Sequence, residues 1–222
     1  FEWDGQEGNI RYYDKEAKKN VSIDLPFTFL LLDQLSKVGG WNDSLEASIY
    51  SNEVKNITKE PLTVKTHGGG VLAQGYYTDI KNDIKASGAR FLSSLYIAYK
   101  DGEALKIGNL SLKGAALSSW MDFSREVGMG IWEKAVVIDG CEEGKKGSIT
   151  YQMPTFKLNK VSEDTQTEAV SLDKTLQEYL EKKTPEEITE SIQSEEQSEP
   201  PINDAPPIQD SDIPIEDDDL PF

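Results

Sequence analysis

The sequence predicts a mainly β body, closed as a small barrel, followed by an acidic and disordered tail. Three observations carry this expectation. Apolar residues among the first 160 positions recur mostly with period two, and the dipeptide Asp101-Gly102 separates two such runs. From Pro185 onward the chain holds seven of its ten prolines, thirteen carboxylates and no Lys or Arg, so that stretch lacks what a core needs. Eighteen of the 20 aromatic residues lie in 1–160, and both the core and any stacking surface must be built there.

A first strand is expected over 19–33, around Phe27-Thr28-Phe29-Leu30-Leu31-Leu32, an apolar stretch far too short to span a bilayer. A second, over 44–54, alternates Leu45, Ala47 and Ile49 against Glu46, Ser48 and Tyr50, and a third covers 61–73. A helix over 76–87 gathers Tyr77, Ile80 and Ile84 on one face and stops at Gly88. Strands over 90–100 and 104–112 then form a hairpin through Asp101-Gly102, and the apolar phase of the second shifts across Gly108-Asn109, as at a bulge. A helix over 115–127 groups Leu117, Trp120, Met121 and Ser124 and ends at Gly128, before a last pair over 131–139 and 147–158 in which Pro154 marks an edge or a bulge. A helix between the third and fourth of five strands is the order of an oligonucleotide-binding (OB) barrel, with an extra helix and hairpin appended.

Charge divides the chain. From Val161 onward there are 19 acidic and 3 basic residues, a net −16, against 21 acidic and 20 basic in 1–160, a net −1, so the acidity belongs to the tail. A body near neutrality can still carry a positive groove, because phosphate responds to the local arrangement of Lys and Arg. Residues 1–160 are therefore expected to form one domain, 161–184 a short helical strap or linker, and 185–222 a disordered acidic tail. In the strap Leu172, Leu176, Tyr179 and Leu180 fall at helical spacing, and Thr184-Pro185-Glu186-Glu187 is a capping box, so one or two short helices are expected.

The tail finishes in Asp217-Asp218-Asp219-Leu220-Pro221-Phe222. With Phe222 as the natural end, its ring and free carboxylate make one compact ligand for a small apolar pocket rimmed by cations, and the acidic run adds attraction. This ending resembles the acidic tip of bacterial and bacteriophage single-stranded DNA-binding proteins, although it covers only six residues. The resemblance implies an OB body that holds single-stranded DNA, and a tip, residues 217–222, that recruits replication, recombination and repair proteins in the cytoplasm of a bacterial host.

A single-strand groove needs rings for bases and cations for phosphates. Tyr50 and Tyr96 are the expected stackers, because each alternates away from the more apolar side of its strand, and Trp41 is placed in a Gly39-Gly40 loop. Lys55, Lys59, Lys65, Lys100 and Lys106 are the neighbouring cations by sequence. Enzyme motifs are not met. His67-Gly68-Gly69-Gly70 has neither a Gly-x-Ser-x-Gly elbow nor a second histidine, and Gly140–Lys146 departs from a phosphate loop in spacing and carries two glutamates, which makes it a hairpin tip. A single Cys141 allows no internal disulfide and suits a reducing compartment. No cofactor or metal is expected. The competing functions are an acidic-tailed virion, assembly or DNA-mimic protein and, behind it, a metal-dependent nuclease using carboxylates such as Asp79, Asp83 and Glu103.

Overall fold

Residues 1–182 are described by a computed structural model; the tail 185–222, its Asp217–Phe222 tip and the Thr184–Glu187 capping box lie outside the described residues. The described chain is mainly β and divides into two compact units. Among the described residues one comprises 1–34 and 95–178, the other 35–94 and 179–182. Two long strands, β4 (Phe27–Asn42) and β8 (Ala89–Asp101), run through both.

In the first unit β1 (Glu2–Asp4), β2 (Asn9–Asp14) and β3 (Lys19–Ile23) form an antiparallel meander, and β1 also lies parallel to β9 (Ala104–Lys113). The expected strand over 19–33 is thus two strands. Pro26 stands at the break, where a residue without an N–H can neither continue the ladder of β3 nor open that of β4 by donation. The β8–β9 hairpin turns at Asp101-Gly102 as expected, with Gly102 at φ 65°, and the buried positions of β9 pass from Leu105 to Leu110 and Leu112. Helix α2 (Gly114–Val127) buries Ala116, Leu117, Trp120 and Met121, and Gly128, at φ 54°, ends it. Trp120 is fully buried and its indole N–H donates to Gln34 Oε1 at 3.2 Å, which satisfies the one polar atom that burial would otherwise orphan.

After the single-turn α3 (Gly130–Glu133), β10 (Ala135–Lys146) and β11 (Ile149–Asn159) form a long ribbon. Its register shifts once, between Ile138 and Gly140, and β10 also pairs with β4 through Val136, Val137 and Ile138. Gly140–Lys146 is therefore strand, and the turn is Gly147-Ser148, two residues beyond the expected tip. Pro154 sits on β11, which pairs only with β10, so the strand is an edge strand, one of the two placements its proline allows. Over the described residues the strap is a 20-residue helix, α4 (Glu163–Lys182), longer than the short helix expected. Ala169 packs with Leu30, Ala98, Leu105 and Ala135, and Leu32, Val161 and Leu172 close around them. Tyr179, grouped with the apolar face by spacing, is exposed.

In the second unit the end of β4, β5 (Ala47–Ser51), β6 (Leu62–Thr66) and β7 (Val71–Gly75) follow as an antiparallel meander, then α1 (Tyr77–Ala86) and the start of β8. Ile80 and Ile84 of α1 are buried, with Ile49, Leu62, Val64 and Phe91. The strand expected from Ser44 begins only at Ala47. Leu45, assigned to the core side, is 59% exposed in the turn, where its N–H is held by Asn42 Oδ1. The sheet is open, with β3 and β7 at its ends, and the pairings that would close five strands into a barrel are not among those of the described residues.

Candidate nucleic-acid interface

The second unit brings five of the expected residues into one short stretch of meander. Across its strands Trp41 stands opposite Ser48, Gly39 opposite Tyr50, and Tyr50 opposite Lys65. Alternation puts Ser48, Tyr50, Thr63 and Lys65 on the side away from Ile49, Leu62 and Val64. That much follows the sequence. Tyr50 departs from it, because it is buried to 4% and not offered as a free ring. Both sides of β5 are covered at its end: Ile49, Tyr50 and Ser51 are buried in succession. A tyrosine so enclosed contributes packing and not a base platform in this conformation.

Trp41 is corrected from loop to strand, half-buried near the end of β4. The two glycines before it are not loop residues either. A side chain at Gly40 would begin 2.6 Å from the carbonyl oxygen of Gly88, and one at Gly88, which sits at φ 89°, would begin 2.3 Å from the carbonyl oxygen of Trp41. Two backbones meet here without room for a Cβ, and Asn42 Nδ2 donates to Ser87 O at 2.9 Å to fix the approach. Trp41 is thereby held on a rigid element.

Lys55 and Lys59 are exposed in the segment between β5 and β6, and Lys65 is half-buried on β6. Asn56 organises this segment: its Oδ1 accepts from the Thr58 N–H and hydroxyl, and its own N–H donates to Glu60 Oε1. At its base Lys37 and Glu53 form an ion pair at 3.6 Å with side chains 13% and 1% exposed. The connection between β6 and β7, His67-Gly68-Gly69-Gly70, is a glycine turn. Thr66 N–H donates to Gly70 O, and Gly68 and Gly69 sit at φ 103° and 92° with open space around them.

The other three expected residues belong to the first unit. Tyr96 is half-buried on β8, and Lys100 is exposed near its end. Lys106 is exposed but ion-paired with Asp101, and the hydrogen bond and charge of that carboxylate raise the ammonium above its usual pKa. A phosphate approaching Lys106 must compete with Asp101.

Sequence reading does not anticipate one aromatic group in this unit. Phe1 meets Tyr99 edge-on at 4.9 Å and Tyr12 at 5.7 Å, with Phe27 behind. Gly108 explains their approach: a Cβ there would begin 2.8 Å from Phe1 Cε2 and 3.0 Å from Tyr99 Cε1. Burial first, then the charge of Asp101, raises the Tyr99 phenol, which stays neutral. The signal was present in Gly108 itself, a glycine inside a strand, but the rings around it come from Phe1 and from β2, β4 and β8 and share no local pattern.

Among the described residues no three His, Cys, Asp or Glu side chains gather as metal ligands would, and no helix is long and apolar enough to cross a membrane. No family model, curated protein or solved structure matches the chain.

Proposed function

We propose that the chain is a non-enzymatic single-stranded DNA-binding protein of the bacterial and bacteriophage kind, acting in the host cytoplasm. Its body grips the strand, and its acidic segment recruits replication and recombination proteins through Asp217–Phe222. The motif Asp217-Asp218-Asp219-Leu220-Pro221-Phe222 carries this reading, joined as it is to a body whose charge nearly cancels. Strand order supports it. A meander of β4, β5, β6 and β7, the last two in place of the single strand expected over 61–73, is followed by α1, and then by β8 and β9 with β8 beside β4. Within the sheet the order β9-β8-β4-β5-β6 follows that of a five-stranded OB sheet, with β1 added beside β9 and β7 beside β6. In such a sheet the turn after the first strand and the turn between the fourth and fifth take up oligonucleotides. Trp41 stands before the first of these turns, and Lys100 and Lys106 flank the second.

The mechanism is electrostatic competition. The chain beyond α4, with 13 carboxylates and one lysine over 183–222 for a net −12, competes with DNA for cations of the body, in an equilibrium that salt weakens over a Debye length of about 8 Å. DNA displaces the segment and frees the tip for its partner. The test compares the full chain with residues 1–182 in gel shifts against oligothymidine, the corresponding RNA and duplex of equal length. The shorter form keeps α4, because a cut at 160 would uncover Leu30, Ala98, Leu105 and Ala135. Both forms are expected to retain oligothymidine over duplex, the shorter form at least as tightly, with affinity falling as salt rises. Failure of both to retain oligothymidine overturns the proposal and returns the chain to the DNA-mimic or assembly reading.

A further inference from the structure

The β10–β11 ribbon holds residues that neither the OB order nor the acidic tip uses. Beyond Ile138 the pairing of β10 with β4 ends, and Gly140–Lys146 runs on beside β11 alone. One side of this distal ribbon is occupied. Gly8 sits where a side chain would touch Cys141 Sγ and Gln152 Cβ, Gln152 N–H donates to Gly5 O, and the Trp3 indole donates to Gln152 O at 2.9 Å. Further along that same side Phe156 packs against Trp120 and Phe123 of α2. Alternation places Ile149, Tyr151, Met153, Thr155 and Lys157 on the opposite side.

On that opposite side Tyr151 pairs across the ribbon with Gly144. A Cβ at Gly144 would begin 2.4 Å from Tyr151 Cε2 and 2.5 Å from its Cζ, so the outer half of the ring lies over the glycine backbone. A tyrosine laid over a glycine has one ring face fixed by the strand and the other turned away from it. By itself this is a familiar way to stabilise a glycine in a strand. What goes beyond stability is the company it keeps. Lys146, paired with Ile149, follows Gly144 on the same side, and Lys157, ion-paired with Asp139, stands at the other end of the stripe, whereas Lys145, paired with Thr150, belongs to the other side. The two glutamates that argued against phosphate in the linear sequence are separated by the pleat, Glu142 to the Tyr151 side and Glu143 to the other.

Resting on the function proposed above, we propose that this ribbon is a separate contact for single-stranded nucleic acid. Tyr151 stacks one base on its outward face, and Lys146, on the same side, holds the adjoining phosphate. The ribbon is fixed in place by the contacts at Gly5, Gly8 and Trp3, so the platform is preformed and stacking needs little further ordering.

The experiment uses the full chain and fluorescently labelled oligothymidine, read by anisotropy, with circular dichroism as the folding control. Tyr151→Leu is expected to weaken binding roughly tenfold, Tyr151→Phe to leave it within about twofold, and Lys146→Glu to weaken it with a shallower salt dependence. Photocrosslinking of the unaltered chain to an oligonucleotide carrying 5-iodouracil is expected to label the peptide that contains Tyr151, and it decides the matter should Tyr151→Leu unfold. Unchanged affinity in a folded Tyr151→Leu, or crosslinks that spare that peptide, overturns the inference while leaving the proposed function in place. An unaltered chain that does not bind oligothymidine overturns both.

Discussion

In the β5–β6 pair Tyr50 stands across from Lys65 with Gly39 of β4 on its other flank, whereas in the β10–β11 ribbon Tyr151 stands across from Gly144 on a strand that, among the described residues, pairs with β10 alone. Each tyrosine has a glycine beside it across a strand pair. Yet Tyr50 is buried to 4% and Tyr151 is half-exposed. The difference lies in what surrounds the strand and not in the strand. β5 is flanked on both edges, by β4 and β6, and residues on both of its faces are buried. Alternation reports which side a residue faces. It does not report whether a second layer covers that side.

The largest effect expected from this contrast is on stability. Tyr50→Ala removes an enclosed ring and should cost about 3 kcal/mol, with a cavity left behind. Tyr151→Ala removes a half-exposed one and should cost under about 1 kcal/mol. Urea unfolding of both variants beside the unaltered chain measures the two. Equal midpoints for the two variants would erase the distinction between core and ribbon, and a stable Tyr50→Ala that lost oligothymidine binding would restore Tyr50 as a stacker.

The glycines sharpen the same contrast. Gly88 lies at φ 89° with a would-be Cβ 2.3 Å from a carbonyl oxygen, whereas Gly102, in the β8–β9 turn, lies at φ 65° with open space around it. Gly88→Ala combines left-handed strain with a backbone clash that no side-chain rotation relieves, and about 2 kcal/mol or more of destabilisation is expected. Gly102→Ala meets only the conformational part, about 1 kcal/mol. Thermal midpoints in that order support Gly40 and Gly88 as a built backbone junction. A reversed order would mean that β4 and β8 part there at little cost.

These same features set how much was legible. Helices α1 and α2 were read nearly to the residue, because Ile80 and Ile84, and Leu117, Trp120 and Met121, repeat at helical spacing before a terminating glycine. The β8–β9 hairpin was equally plain from Asp101-Gly102. The β1–β2–β3 meander was not read, since its strands are short and polar, and only Trp3 and Ile10 are buried. Gly39-Gly40 was taken for a loop because a glycine pair has the same appearance in a flexible turn and in a strand that touches another backbone. Among the candidate residues the lysines were found by type alone. Tyr151 was missed because its meaning depends on Gly144, seven residues away across a turn.

Ion pairs give the smallest expected effect. In the second unit Lys37 and Glu53 are held with side chains 13% and 1% exposed, whereas Asp139 and Lys157, at the base of the ribbon, meet at 2.7 Å with side chains 32% and 57% exposed. The hydrogen bond from Lys157, opposed by burial and helped by that from the Thr155 hydroxyl, holds the Asp139 carboxyl below its usual 3.8. A carboxylate depressed in this way contributes stability that is present above the unfolded-state pKa and is lost as pH falls through the lower folded-state value. Solvent screens an exposed pair strongly, so Asp139→Asn should cost under about 0.5 kcal/mol at neutral pH. The deficit should shrink in about 1 M salt and vanish once the pH is well below 3.8, where the unaltered carboxyl is itself protonated. Chemical denaturation of the two forms at pH 7 and near pH 2.5 checks the sign. A deficit that persisted in acid would assign the role of Asp139 to its contact with Thr155, and the ribbon's base would then rest on neutral hydrogen bonding instead of charge.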